Sequence, residues 1–295
     1  MDRERRSHRA DGGAILGQNL TVVRILMVVA LIAVMARSAG PAEPDLRTTL
    51  RRAGQYVLEY HNNLTTVVAD ELYVQKVERQ SPKESEERTL RSEFAIVRGD
   101  SDEGWFAIRD VREVDGQSIT ERSRIEALLR SPQVRLRSAA FAIAVEQTKY
   151  NLGSVYRTIN VPTLPLMFVL PDRQSRFRYR SGGSTTISGT PVCIVTYEER
   201  DRPTVIRTPE GRSVISRGAL WIDAVNGTVH QTELSTNEPR GLRVVITVTY
   251  AHEARLNLLV PAKMEESYVS ADERITATAT YSNFRRFETD ARIVR

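Results

Sequence analysis

The chain has 295 residues, 41% of them hydrophobic, with 42 Lys and Arg against 37 Asp and Glu. That length can bury a full core without metals or cross-links, and a lone cysteine, Cys193, excludes an intrachain disulfide. Residues 1–40 hold six arginines and three acidic groups, leaving 36 basic against 34 acidic residues, or +2, for the remainder. So neutral a remainder argues against a nucleic-acid binder, which carries Lys and Arg clustered on one face.

Arg3, Arg5, Arg6, Arg9 and Arg24 lead into the unbroken apolar run Ile25–Ala36, which small residues follow at Ser38, Ala39 and Gly40. A charged lead, a short apolar core and a small-residue exit form the layout of a secretory signal peptide. The run is also shorter than the roughly 20 residues a spanning helix needs. Cleavage is expected after Ala36 or Gly40. A second reading stays open, because Val22 and Val23 extend the run and Arg37 interrupts its exit: a retained anchor over residues 22–36. Both readings place the protein in the periplasm or cell envelope, with residues 1–40 as targeting segment or anchor and 41–295 as one folded domain.

Leu46, Leu50, Ala53, Val57, Tyr60 and Leu64 recur in steps of three and four, which predicts an amphipathic helix opened by Pro44 and Asp45. Residues 65–78 read as a long strand, 79–88 as a polar loop, and 90–98 and 104–114 as two further strands. The middle changes character. Ile125, Leu128 and Leu129 share a helical face within 121–130, and Ser138 is placed to cap a helix bearing Phe141, Val145 and Leu152. Pro162 and Pro165 restrict the apolar piece 161–171 to one short turn. Together these predict a central helical block over 121–171.

From Arg176 the pattern is almost purely β. Strands are expected at 177–180, 185–188, 192–199, 204–207, 218–223, 228–234, 242–250, 256–259, 264–269 and 274–284. Asn226-Gly227 is the firmest turn, since this dipeptide prefers a type I′ geometry whose twist matches flanking strands. A meander of this length must curl or close. Ile275, Ala277, Ala279 and Tyr281 share one strand face, where the two alanines leave room for a packed element or for a ligand.

Motifs for catalysis are missing from the sequence. There is no phosphate-binding GxxxxGK[ST], no GxGxxG after a strand, no HExxH, no GxSxG and no CxxC. Cys193 lies in a strand-like run and reads as a small buried residue. Asp223 and His230 face each other across the Asn226-Gly227 turn and read as a surface contact. Glu59, Asp70, Glu71, Asp110 and Glu113 are carboxylates whose spatial pairing the sequence does not give. No catalytic residue, metal ligand or cofactor is expected.

Residues 218–223 (GALWID), the turn at 226–227, strand 242–250, then Leu259-Val260-Pro261, Met264–Tyr268 and a last strand ending Tyr281-Ser282-Asn283-Phe284 form an ordered series. In this order the chain resembles the periplasmic lipoprotein-localisation factors, the LolA/LolB-like superfamily, over roughly residues 45–78 and 175–287. The resemblance implies an α+β fold: a strongly curved antiparallel sheet, or half-barrel, with the N-terminal helix and the central block on its concave face. It also implies an apolar cavity that receives lipid or lipoprotein acyl chains. Candidate lining residues are Phe141, Leu166, Met167, Phe168, Trp221, Met264, Tyr268 and Tyr281, which suit a plain core equally well. The alternative is a membrane-tethered sensor that uses the same fold to contact an envelope protein partner; a secreted hydrolase is the third reading.

Overall fold

A computed structural model describes residues 45–64, 67–98, 105–119, 124–125, 142–143, 145–208, 210–238 and 241–286. The expected signal or anchor at 1–40 lies outside the described residues, as do Phe141, Ser138 and most of 121–141.

Helix α1 spans Leu46–Leu64. Asp45 caps it, its carboxylate accepting from the Thr48 backbone N–H at 3.1 Å. The apolar stripe read from the sequence is the buried face: Leu50, Ala53, Val57, Tyr60 and Leu64. Strands β1 (Val67–Arg79), β2 (Glu84–Arg98), β3 (Trp105–Val114) and β4 (Gln117–Ser118) follow. The C-terminal half contributes β5 (Phe177–Ile187), β6 (Thr190–Glu199), β7 (Ile206–Arg207), β8 (Ser213–Val214) and β9 (Ser216–Ile222). It ends with β10 (Val229–Asn237), β11 (Arg243–Glu253), β12 (Leu258–Val269) and β13 (Glu273–Arg286).

Eleven strands form one antiparallel sheet in the order β4-β3-β2-β1-β13-β12-β11-β10-β9-β6-β5, and β7 and β8 form a separate two-stranded ribbon. Among the described residues the sheet is open, with β4 and β5 as its ends, and does not close into a barrel. Its centre joins the two ends of the described chain: β1 pairs with β13 over most of its length. One face is covered and one faces outward, and the strands alternate accordingly. In β1, Glu71, Tyr73, Gln75 and Val77 point inward between half-exposed neighbours.

Four expectations need correction: the pieces 256–259 and 264–269, to begin with, are one strand, β12. The polar stretch Glu84–Arg88 is strand, pairing with Gln75–Arg79. This end of the hairpin is solvated on both faces, so no apolar alternation marks it. The pieces 177–180 and 185–188 are one strand, because β5 passes the glycine pair through a bulge between Ser181 and Ser184. The central helical block on the concave face is not present among the described residues. Between 145 and 176 they hold short 3₁₀ turns, at Gln147–Tyr150, Leu164–Val169 and Gln174–Arg176, and a strap without regular secondary structure from Asn151 to Thr163.

Arg124 and Ile125 sit against the opposite face of the sheet. Arg124 binds Asp110 through Nε at 2.6 Å, and Asp110 follows the inward-pointing Arg109 on β3. There Val68, Ala95, Ile108 and Ile125 are all buried, so β3 is covered on both sides. Ile125, the one described residue of the apolar face read in 121–130, is buried here and not on the inner face.

Two glycines set the close approaches of α1. A Cβ at Gly54 would lie 2.8 Å from the Val169 carbonyl oxygen. Gly227, at φ +82, presses against the helix backbone, where a Cβ would come within 2.3 Å of Arg52. Arg52 Nη1 also donates to the Ala224 carbonyl at 2.5 Å, so the predicted Asn226-Gly227 turn is also a helix-docking site.

Candidate functional site

The strap 151–163 crosses the inner face of the sheet, and polar side chains hold it there. Gln75 on β1 donates to the Tyr150 carbonyl at 2.9 Å and accepts from the Leu152 N–H at 2.9 Å. Glu273 on β13 accepts from both the backbone and the hydroxyl of Ser154 at 2.7 Å. Arg109 on β3 donates to the Asn160 carbonyl at 2.8 Å, and Tyr250 on β11 to the Pro162 carbonyl at 2.6 Å. A strap with no regular structure satisfies buried carbonyls in this way, since the sheet ladder cannot reach them.

Beneath it lies a buried charged cluster. Arg109 Nε sits 2.8 Å from both oxygens of Glu71. Arg157, from the strap, donates through Nη1 to the Tyr73 hydroxyl at 2.8 Å and through Nη2 to Gln75 Oε1 at 2.5 Å. The Tyr73 and Tyr268 hydroxyls donate to Glu266 Oε2 at 3.3 and 2.7 Å. Both guanidinium groups lie within 6 Å of the Tyr73 ring centroid, at 5.8 Å for Arg109 and 5.9 Å for Arg157. Two cations thus face two carboxylates around one tyrosine, and the cluster is formally neutral.

Electrostatics follow from this burial. Desolvation raises the Glu266 carboxyl above the usual carboxylate range, against hydrogen bonding from Tyr268 and the pull of the two arginines. Burial opposes the charge on Arg109, but Glu71, Tyr281, Glu266 and Tyr73 together outweigh it and hold the guanidinium protonated. Burial also pushes the Tyr73 and Tyr268 hydroxyls upward, so both remain donors at neutral pH.

The room left by Ala277 and Ala279 has a definite occupant. Strand β13 lies between β1 and β12. Arg157 reaches Tyr73 and Gln75 on β1, while its guanidinium sits 5.8 Å from the Tyr268 ring on β12, so it spans β13. Small side chains on β13 provide the clearance.

At the far end of the strap, a pocket of about 210 Å³ opens between Val155, Tyr156, Thr158 and Ile159, the ribbon residues 206–208, and the inner-face residues Thr236, Glu238, Leu242, Val244 and Tyr268. Tyr156 is 57% exposed beside it. A larger groove of about 560 Å³, lined by Asp70, Arg91, Glu93, Arg112 and Glu113 among others, holds mostly charged side chains, including the ion pairs Arg112–Glu93 and Arg91–Glu113.

Of the residues read from the sequence as cavity-lining, Leu166, Met167, Phe168, Met264, Tyr268 and Tyr281 belong to one buried cluster. Leu166, Met167 and Phe168 occupy the 3₁₀ turn against α1, and Phe168 stacks on Phe177 with centroids 4.8 Å apart. Tyr281 packs on Phe94 at 4.9 Å. Tyr268 alone among them lines the pocket at the strap. Trp221 lies apart: Leu220 and Ile222 point into the core, and alternation turns Trp221 to the other face. Phe141 lies outside the described residues. Cys193 is buried, and burial lowers the His230 pKa while Asp223 partly offsets it.

The charged cluster was missed. Glu71 and Gln75 sit in phase with Tyr73 and Val77 along β1, so strand phase could have marked them as inward-facing. Arg157 carries no such signal, because the strap has no period. Among the described residues, no group of His, Cys, Asp and Glu is placed to hold a metal ion, and no helix is long and apolar enough to cross a membrane.

No protein-family model matches the chain, and no curated protein matches it. Solved structures do. The chain is similar to an outer membrane lipoprotein-sorting protein domain from Vibrio parahaemolyticus, at 10% identity over 83% of this chain and 94% of that one, with a TM-score of 0.40. It is similar to a DUF1329 family protein from Desulfovibrio piger, at 9% identity over 83% and 95% of the two chains, with a TM-score of 0.37. It is also similar to a LolA superfamily protein from Nitrosomonas europaea, at 11% identity over 82% and 97%, with a TM-score of 0.31. A LolA superfamily protein is thus among the structures to which the chain is distantly similar. Residue roles do not transfer at this distance.

Proposed function

We propose that this is an exported cell-envelope protein that binds the apolar part of a lipid or lipoprotein, such as an acyl chain, between the strap and the inner face of its sheet. The observation that carries this reading is the pocket of about 210 Å³, with Val155, Ile159, Ile206, Leu242 and Val244 as its apolar wall and Tyr268 at its base. Ligand pockets usually enclose roughly 300–1,000 Å³. A pocket of this volume holds part of a chain, and a longer chain requires side chains at the exposed rim, such as Tyr156, to move aside. The export half of the reading rests on the Arg-led apolar run at 25–36. The role is binding, with no chemical step.

The test is mass spectrometry of lipids that co-purify with the protein expressed in an envelope, joined to titration of the lipid-stripped protein with a fluorescent fatty acid. Co-purified acyl lipids and saturable binding that Ile159→Trp weakens are the expected results. Empty preparations together with no saturable binding would sink the proposal.

A further inference from the structure

The pocket at the strap has polar groups beside its apolar wall, and they differ in whether the protein itself satisfies them. The Tyr268 hydroxyl is taken up by Glu266 at 2.7 Å, and Thr208 Oγ1 accepts from the Arg212 N–H at 3.3 Å. Thr236, Glu238 and Arg207 line the same pocket and are left over. Thr236, on β10, is only 5% exposed and in phase with the inward Thr232 and Leu234. Its hydroxyl makes no hydrogen bond among the described residues. Two residues further on, Glu238 extends the ladder through its N–H to the Leu242 carbonyl at 2.9 Å. Its half-buried carboxylate forms no ion pair among the described residues. Arg207, exposed on the ribbon, uses Nε on the Thr204 carbonyl at 3.2 Å, which leaves its terminal nitrogens without a partner among those residues. A buried hydroxyl, a carboxylate and a guanidinium therefore border one opening with hydrogen-bonding capacity to spare.

A buried polar group without a partner is costly, so an unpaired hydroxyl in a pocket wall marks where a polar atom of the ligand belongs. Arg207 and Glu238 carry opposite charges yet do not pair with each other. A head with a single charge would meet one of them as a partner and the other as a like charge, whereas a head with both charges matches the two together. We propose, on the premise that this pocket binds acyl chains, that it selects an amphiphile with a dipolar head of primary ammonium and phosphate. Glu238 holds the ammonium, Arg207 holds the phosphate, and the Thr236 hydroxyl donates to the ester carbonyl where the acyl chain begins. A guanidinium grips phosphate through parallel N–H donors, and the three N–H groups of a primary ammonium suit a carboxylate.

The test titrates the lipid-stripped protein calorimetrically with three amphiphiles of equal chain length, each kept below its micellar concentration. They are lauroyl lysophosphatidylethanolamine, lauroyl lysophosphatidic acid, which lacks the ammonium, and dodecylamine, which lacks phosphate and ester. The first should bind about fivefold more tightly than either of the others. Glu238→Gln should abolish its advantage over the lysophosphatidic acid. Arg207→Gln should weaken both phosphate-bearing ligands by about fivefold without weakening dodecylamine, whose retained binding also shows that the variant is folded. Thr236→Val, close to the same shape, should weaken the two esters and spare dodecylamine. Equal binding of the three amphiphiles, or a preference that the Glu238 and Arg207 substitutions leave intact, overturns the dipolar head while acyl binding stands. Binding of none of them overturns acyl binding itself, and the dipolar head with it.

Discussion

Arg109 and Glu71 meet on the inner face of the sheet from β3 and β1, two strands that do not touch each other, because β2 lies between them. The pair crosses over Ser92 and Phe94 of β2, and Arg109 then reaches the strap at Asn160. A buried ion pair contributes little net stability compared with apolar residues of the same shape, but leaving one partner alone is costly. Its effect here is to select one position for the strap over the sheet.

Arg109→Met should therefore destabilise the protein by roughly 3–5 kcal/mol, since it leaves the Glu71 carboxylate buried without its cation. Adding Glu71→Met to the same chain should recover much of that loss. Denaturant unfolding followed by circular dichroism measures both. A double variant no better than the single one would show that the pair does more than satisfy itself.

Glu266 predicts a pH dependence. Its pKa in the folded state is raised above the ordinary value of 4.5. The folded protein then holds this proton more tightly than the unfolded chain, so its contribution is most favourable below pH 4.5 and is lost as pH rises through the folded value. Glu266→Gln keeps an acceptor for Tyr73 and Tyr268 and removes the titration. The stability of Glu266→Gln relative to the parent should grow as pH is raised from about 4 toward neutrality, as read by urea unfolding across that range. A constant difference would argue against the raised value.

Gly153 of the strap sits hard against β13. It has φ +79, and a Cβ there would come within 2.5 Å of Ile275 Cδ1. Gly153→Ala should cost about 1–3 kcal/mol, from the left-handed backbone and the overlap together. Ile275→Val removes the clashing methyl and should restore part of the loss in the Gly153→Ala background. Thermal unfolding of the three variants separates the contributions.

Filling the pocket tests the proposed ligand space without touching the charged cluster. Leu242→Trp places bulk into the pocket wall at a half-buried position. It should lower affinity for a fluorescent fatty acid by about tenfold with little change in the unfolding midpoint. Trp221→Ala, on the opposite face from the core, should leave that affinity unchanged. Loss of affinity in Trp221→Ala would move the site to the outer face.

Much of the fold was legible because burial leaves a period in the chain. The stripe Leu50, Ala53, Val57, Tyr60, Leu64 and the alternation through β11 and β13 each report one covered face. A turn at Asn226-Gly227 was readable from the dipeptide, but not its type: only Gly227 has positive φ, so the loop from Asp223 to Thr228 is not the expected type I′ turn. The hairpin end at Glu84–Arg88 was not, because a strand solvated on both faces has no alternation to read. The strap was not either: its order comes from hydrogen bonds to Gln75, Arg109, Tyr250 and Glu273, each remote in sequence.

The candidate site divides the same way. Leu166, Met167, Phe168, Met264, Tyr268 and Tyr281 could be named as inward apolar residues, since hydrophobicity and phase are properties of the local chain. Whether they meet a ligand or one another depends on what covers the sheet, which no local pattern encodes.

By itself, then, the sequence determined the exported-looking start, the amphipathic helix, the antiparallel meander and the absence of recognisable catalytic motifs. Each of these is written in composition or in a period of two to four residues. Only the tertiary structure decided that the ladder closes β1 onto β13, that Arg124 and Ile125 pack on the outer face, and that Arg157 lies over Ala277 and Ala279. Those outcomes rest on contacts between residues separated by tens to hundreds of positions, where pairing of buried charge and fit of volume, rather than local propensity, choose the partner.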